Sequence, residues 1–241
     1  MLLLCSRAVH RCRRAYHSYD HPKSAGPFNA AEEAILAAAY RQVPEHGFTD
    51  AALAIGAREA GYLDISTNLL SDGAFSLIQW HLVQQREALA ARKAALFADD
   101  SSDPSAVAAR VEALTWERLL GNTDVMGRWQ EALAVMAQPS YIPESVKELA
   151  MLADEILFLA GDVAVDPTWY TKRASLSTIY AAAELYMTTD HSPGYFDTRN
   201  FLRRRLGEAN EFGSAAHAIR QWVGFTASAG LNMLRSKGMR I

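Results

Sequence analysis

Apolar residues recur along this chain at helical spacing, and nowhere do they form strand runs bounded by hairpin turns. Ile35, Leu36, Ala39 and Tyr40 share one face, and Asn29 with Glu32 three residues on is a capping-box pair, so the spacing predicts a helix from Asn29 to about Val43, ahead of Pro44. Two short helices are predicted near 50–60 and 65–71, then a longer one over 73–96 that begins at Asp72-Gly73. Asp99 to Asp103, before Pro104, has turn chemistry. Helices near 105–120, 128–137 and 144–160 follow, separated by Gly121-Asn122 and by Pro139 to Pro143. Asp166-Pro167 is an N-cap with proline at the first helical position, and the helix it opens runs to about Thr188. His191-Ser192-Pro193-Gly194 stops it; helices over 196–211 and 214–236 complete the pattern. The expected fold class is all-α, about ten helices without an internal repeat.

The N-terminal sixteen residues have a different character. Met1 to Tyr16 carries Arg7, Arg11, Arg13 and Arg14 with leucines at 2 to 4, and no acid precedes Asp20. Arg-rich, acid-poor, amphipathic N-termini read as mitochondrial targeting peptides, the alternative being a plain basic tail. Residues 17–28, with Pro22, Gly26 and Pro27, read as a linker. Removal of 1–16 would take the formal net charge from −3 to −7, since four arginines leave. A net acidic chain is a poor non-specific binder of nucleic acid. Both cysteines, Cys5 and Cys12, lie in the targeting segment, so the remaining chain is expected to have no disulfide, thiolate nucleophile or cysteine metal site. The longest uncharged run, Gln221 to Leu234, has 14 residues, short of the roughly 18–20 that span a bilayer.

Charge changes the reading of the N-terminal helices. Gly47-Phe48-Thr49, Leu53 to Gly61 and Ile65 to Leu70 have the spacing of a helix, a glycine turn and a second helix. Between Glu59 and Gln85 there is no lysine or arginine, only the acids Glu59, Asp64 and Asp72. Phosphate neutralisation supplies much of DNA affinity, so this helix-turn-helix pattern lacks the electrostatics of a DNA reader. Motifs for chemistry are absent as well. There is no phosphate-cradling glycine loop, no His-Glu-x-x-His, no Gly-x-Ser-x-Gly and no Glu-x-x-His pair for a di-iron centre. No catalytic residue, metal ligand or cofactor is expected.

Two segments carry candidate binding residues. In Asp162 to Arg173, Trp169 and Tyr170 fall in the first turn of a helix, and Arg173, four residues after Trp169, is placed to lie over the indole. Adjacent large aromatics beside cations are the composition of a protein contact patch; Asp166 and Lys172 belong to the same expected partner-binding set. The alternative is that one of the two aromatics is core. In the last predicted helix, Ile219, Trp222, Val223, Met233 and Leu234 form a stripe, with Phe225 nearby and Arg220 and Arg235 on other faces. That arrangement suits a membrane interface and equally an ordinary core-packing helix. A surplus of apolar residues, among them Trp116, Trp129, Met136, Ile156, Leu176 and Tyr180, could enclose a cavity or fill one another's gaps.

Taken together, the chain resembles the mitochondrial lipid-binding proteins of ubiquinone (coenzyme Q) biosynthesis, a family with the fold of TetR-type regulators. The resemblance covers about residues 29 to 237. Its most specific stretch runs from Ala160-Gly161-Asp162 through Trp169-Tyr170-Thr171-Lys172-Arg173 to Ile179-Tyr180 and Glu184-Leu185. Gly47-Phe48, Gly61, Asp72-Gly73, Ile142-Pro143 and Ser192-Pro193 support it, while Gly121 to Gly127 looks longer than in animal members. The resemblance implies a homodimer without catalysis of its own. It implies a lipid cavity for isoprenoid quinones and phospholipid, peripheral contact with the matrix side of the inner membrane, and docking to the di-iron demethoxyubiquinone hydroxylase. It places Trp169 and Tyr170 in the hydroxylase patch and Arg173 near a phospholipid head group. The implied organisation is a targeting peptide (1–16), linker (17–28), vestigial helix-turn-helix region (29–98), lipid-binding bundle (104–212) and membrane-contacting helix (213–237). A TetR-like, ligand-sensing DNA regulator is the alternative of another class.

Overall fold

The computed structural model describes residues 26–97, 106–162 and 168–209. The expected targeting segment, Asp166 and the residues expected to contact a membrane, Ile219, Trp222, Val223, Phe225, Met233 and Leu234, lie outside the described residues.

Every described element is helical. The order is α1 (Ala30–Tyr40), α2 (Val43–His46), α3 (Asp50–Glu59), a 3-10 segment (Asp64–Leu69), α4 (Ala74–Glu87), α5 (Leu89–Leu96), α6 (Val107–Leu120), α7 (Met126–Met136), α8 (Ile142–Ala160), α9 (Thr168–Met187) and α10 (196–209). The all-α expectation therefore holds. The Asn29 cap forms as read: its side chain accepts from Ala31 and Glu32 amides, and Glu32 returns a bond to the Asn29 amide. Gly161 closes α8 in the left-handed conformation, φ 85°, which its lack of a Cβ permits.

Two expectations change. The predicted helix near 65–71 is a six-residue 3-10 segment, and the predicted 73–96 helix breaks at Ala88 into α4 and α5. In the 3-10 segment no residue is buried, so no apolar face stabilises a full α-helix there.

Two apolar clusters form. The first joins Ile35, Leu36, Leu53, Leu77, Ile78 and Trp129 from α1, α3, α4 and α7. The second joins Leu114, Trp116, Leu152, Ile156, Leu176 and Tyr180 from α6, α8 and α9. α7 thus packs with the N-terminal cluster, although its sequence position is in the bundle region. The Phe48 ring meets Trp129 edge-on at 5.8 Å, which fixes that docking. α4 links the halves by polar contacts: Arg86 Nε donates to Glu148 Oε1 of α8 at 2.6 Å, a nearly buried ion pair.

Candidate functional site

The aromatic pair at the start of α9 forms an ordered platform. Trp169 and Tyr170 pack edge-on, ring centroids 4.7 Å apart. The Arg173 guanidinium lies 3.7 Å from the Trp169 ring centroid, as the four-residue spacing predicted. Arg173 also donates from Nε to Asp154 Oδ1 of α8 at 2.5 Å and from Nη1 to the Trp169 carbonyl at 3.2 Å. Lys172 Nζ donates to buried Asp162 Oδ1 at 2.9 Å. Both cations are therefore tied to α8 and its C-terminal turn, and they hold the first turn of α9 in place. Tyr170 remains 74 % exposed, whereas Trp169 is only partly exposed. The one-aromatic-inward alternative is met halfway: Trp169 roofs Arg173 and Tyr170 faces out. Arg173 is buried and committed, so a phosphate there must compete with Asp154.

The six apolar candidates do not line one chamber. Trp116, Ile156, Leu176 and Tyr180 sit together in the bundle cluster. Trp129 belongs to the N-terminal cluster, and Met136 packs against that cluster too. An open groove of about 400 Å³ lies elsewhere, between α7, the end of α9 and α10, lined by Leu133, Leu185, Tyr186 and Phe201 among others. In the Arg203-Arg204-Arg205 run of α10, Arg203 pairs with Glu112 at 3.0 Å and Arg205 with Glu208 at 2.7 Å. Arg204 stands 5.9 Å from the Phe201 ring centroid.

Sequence reading missed a buried polar hub where the two clusters meet. Asn122, just after α6, is central: its Oδ1 accepts from Arg118 Nη1 at 2.7 Å and faces His81 Nε2 at 2.8 Å, and its Nδ2 donates to Glu184 Oε1 at 2.8 Å. Tyr180 OH donates to the same carboxylate oxygen at 3.0 Å. Because the Asn122 oxygen accepts, His81 donates from Nε2. Burial, helped by the nearby Arg118 charge, depresses the His81 pKa to about 3. Burial raises the pKa of Glu184 and Glu148, with Arg118 and Arg86 acting against it. The i,i+4 pairs Arg118/Asn122 and Tyr180/Glu184 were readable as helix neighbours. Their convergence with His81 of α4 was not.

His81 makes folding pH-dependent. Its folded pKa lies below the ordinary value of 6.5, so the folded state sheds a proton that the unfolded chain holds. This contribution is complete above about pH 6.5 and is lost as pH falls towards 3, by at most about 1.4 kcal/mol per pH unit. The raised carboxyls have the opposite sign, gaining protons in the folded state as pH falls. His81→Gln, which keeps a donor for Asn122, is expected to flatten urea-derived stability against pH between 6.5 and 4. An unchanged slope counts against the buried neutral imidazole.

The helix-turn-helix surface is bare of free cations. Arg58 pairs with Asp64 and Arg41 with Glu59, both at 3.3 Å. The 3-10 segment and the turn before it instead expose Leu63 (75 %), Ile65 (71 %) and Leu69 (52 %). Among the described residues no helix is long and apolar enough to cross a membrane, and no metal-binding cluster of acids, histidines and cysteines is present.

Comparison with solved structures places this architecture. A TetR transcriptional regulator from Nitrosomonas europaea superposes with a TM-score of 0.56 at 14 % identity, covering 76 % of this chain and 99 % of its own. A family profile described as COQ9 matches residues 142–213. The mitochondrial ubiquinone biosynthesis protein coq9 of Schizosaccharomyces pombe is 36 % identical over 94 % of this chain and 88 % of its own length. The Drosophila melanogaster relative is 33 % identical over 78 % of this chain and 60 % of its own; the human one is 29 % identical over 77 % and 59 %. With an all-α TetR-like architecture and a relative 36 % identical over 94 % of its length, the chain belongs to the COQ9 family of ubiquinone biosynthesis proteins.

Proposed function

We propose that this protein is a non-catalytic accessory factor that binds isoprenoid quinone intermediates at the matrix side of the inner mitochondrial membrane and presents them to the di-iron demethoxyubiquinone hydroxylase. The observation that carries the docking part is the Trp169–Tyr170 platform. Its exposed phenol stands on an indole fixed by Arg173, and Arg173 is fixed by Asp154. A rigid exposed aromatic loses little entropy on docking, which is what a binding hot spot requires. The apolar bundle residues and the α7–α9–α10 groove support the lipid part. A polyprenyl tail is out of reach of a peripheral active site unless its extraction from the bilayer is offset, at about 0.8 kcal/mol per buried methylene. Residues 213–237 are the proposed membrane contact. The exposed α9 stripe from Ala174 through Thr178 and Ala181 to Leu185 supports a homodimer face, since small residues admit close helix approach. No nucleic-acid partner is proposed.

Tyr170→Ala is expected to weaken binding to purified hydroxylase about 30-fold, the roughly 2 kcal/mol of a hot-spot tyrosine, with little change in Tm. Trp169→Ala should weaken binding and also lower stability by about 1 kcal/mol, since Arg173 loses its stacking partner. Equal binding by both variants in calorimetric titration removes the docking site. Solvent extraction and mass spectrometry of the purified chain test the lipid part: prenylquinone or phospholipid stoichiometric with protein is expected, and a lipid-free folded protein overturns it.

A further inference from the structure

The surface that would read DNA in a helix-turn-helix protein is here an apolar knuckle with an acidic surround. Leu63, Ile65 and Leu69 are more than half exposed and Tyr62 is 39 % exposed, four apolar side chains within eight residues. From Glu59 to Gln85 the only charges are Glu59, Asp64 and Asp72. The nearest arginines are spent on two of these acids, Arg41 on Glu59 and Arg58 on Asp64. Scattered exposed leucines need no explanation, but a contiguous group marks a contact surface. DNA and anionic lipid both need cations that this surface does not offer.

The chain itself contains a complementary segment. Residues 210–241 carry Arg220, Arg235, Lys237 and Arg240 against one acid, Glu211, and present the apolar Ile219, Trp222, Val223, Met233 and Leu234 at helical spacing. The segment follows directly on α10, whose described part ends at residue 209. Its 32 residues, fully extended, reach about 110 Å, well beyond the roughly 40 Å diameter of a 200-residue domain. Reach therefore does not limit where it docks.

We propose that the Tyr62–Leu69 knuckle is the docking surface for this chain's own basic, apolar C-terminal segment, residues 213–237, whenever that segment is not engaged elsewhere. The knuckle then packs against the segment's apolar stripe, while Arg220, Arg235 and Lys237 meet Asp72 and compete with Arg41 and Arg58 for Glu59 and Asp64. This use of the knuckle is independent of lipid binding in the bundle, of hydroxylase docking, and of whether the same segment also meets a membrane.

The test uses the full chain without vesicles and reads trypsin cleavage after Arg220, Arg235 and Lys237 together with amide hydrogen exchange of 214–236. Leu63→Ser combined with Ile65→Ser changes only exposed side chains, so Tm should hold, while cleavage and exchange of the segment accelerate about tenfold. Arg235→Glu with Lys237→Glu should accelerate exchange in the same way, and adding Asp64→Arg with Asp72→Arg should slow it again. Such charge-swap rescue is what direct contact produces and what general loosening does not. A rate that falls with rising protein concentration means that a second copy supplies the segment. Unchanged cleavage and exchange in the Leu63/Ile65 variant overturns the proposal. So does a Leu63/Ile65 variant that keeps its cleavage and exchange rates but, in a separate assay, loses association with vesicles of anionic phospholipid, which would make the knuckle a membrane surface.

Discussion

Glu184→Leu is expected to destabilise the protein by about 3–5 kcal/mol, the scale for removing one partner of a buried charge pair. Arg118 is fully buried and Glu184 nearly so. The Glu184 carboxylate accepts from both Asn122 and Tyr180, and the Arg118 guanidinium reaches it through Asn122. Leucine would leave an uncompensated guanidinium and two unpaired donors in the interior. Arg118 Nε and Nη2 already lie buried without a protein acceptor, so the hub has little spare capacity to rearrange. For a chain of this size each kcal/mol shifts Tm by roughly 2–4 °C, so the expected fall is about 6–20 °C. The double variant Arg118→Met with Glu184→Leu should cost clearly less than the two single changes added, because it removes both charges together. Urea denaturation of the three variants decides: strict additivity, or a cost under about 1 kcal/mol for Glu184→Leu, removes the hub as a coupled unit. Because His81 joins α4 to the same asparagine, the loss should be felt in both apolar clusters as one cooperative transition.

The second large effect comes from a glycine. A Cβ placed on Gly56 would lie 2.5 Å from the Ala39 Cα and closer still to the Ala39 backbone nitrogen. This is where α3 crosses α1. Backbone atoms of a buried helix cannot yield as a flexible side-chain end can. Gly56→Ala is therefore expected to cost about 3 kcal/mol, the upper part of the overpacking range, which exceeds the gain of about 1 kcal/mol that alanine brings to a helix interior. Gly127 in α7 is the internal control: a Cβ there would meet nothing within 4 Å. Gly127→Ala should stabilise by about 0.5–1 kcal/mol through the same propensity gain. Thermal melts of the two variants should move in opposite directions; parallel shifts would refute the close α1–α3 crossing.

The sequence by itself determined the helical class and much of the element order. Those rest on local signals: the Asn29 capping box, the glycine that ends α8, and apolar repeats that only a helix gathers on one face. It also determined the Trp169–Arg173 contact, because residues four apart on a helix are neighbours whatever surrounds them. The resemblance to the ubiquinone-biosynthesis family was likewise legible before any packing was known. Other features depended on contacts between elements far apart in the chain. Periodicity cannot tell which apolar cluster a helix joins, so Trp129 and Met136 were grouped with the bundle although α7 docks on the N-terminal half. The second helix of the helix-turn-helix pattern has suitable spacing, but none of its residues is buried, and it stays a short 3-10 segment with its leucine and isoleucine exposed. His81, Asn122 and Glu184 are 41 and 62 residues apart in the pairs they form. Only the tertiary structure could decide that these three polar groups meet in one desolvated place, where each finds a hydrogen-bond partner among the others.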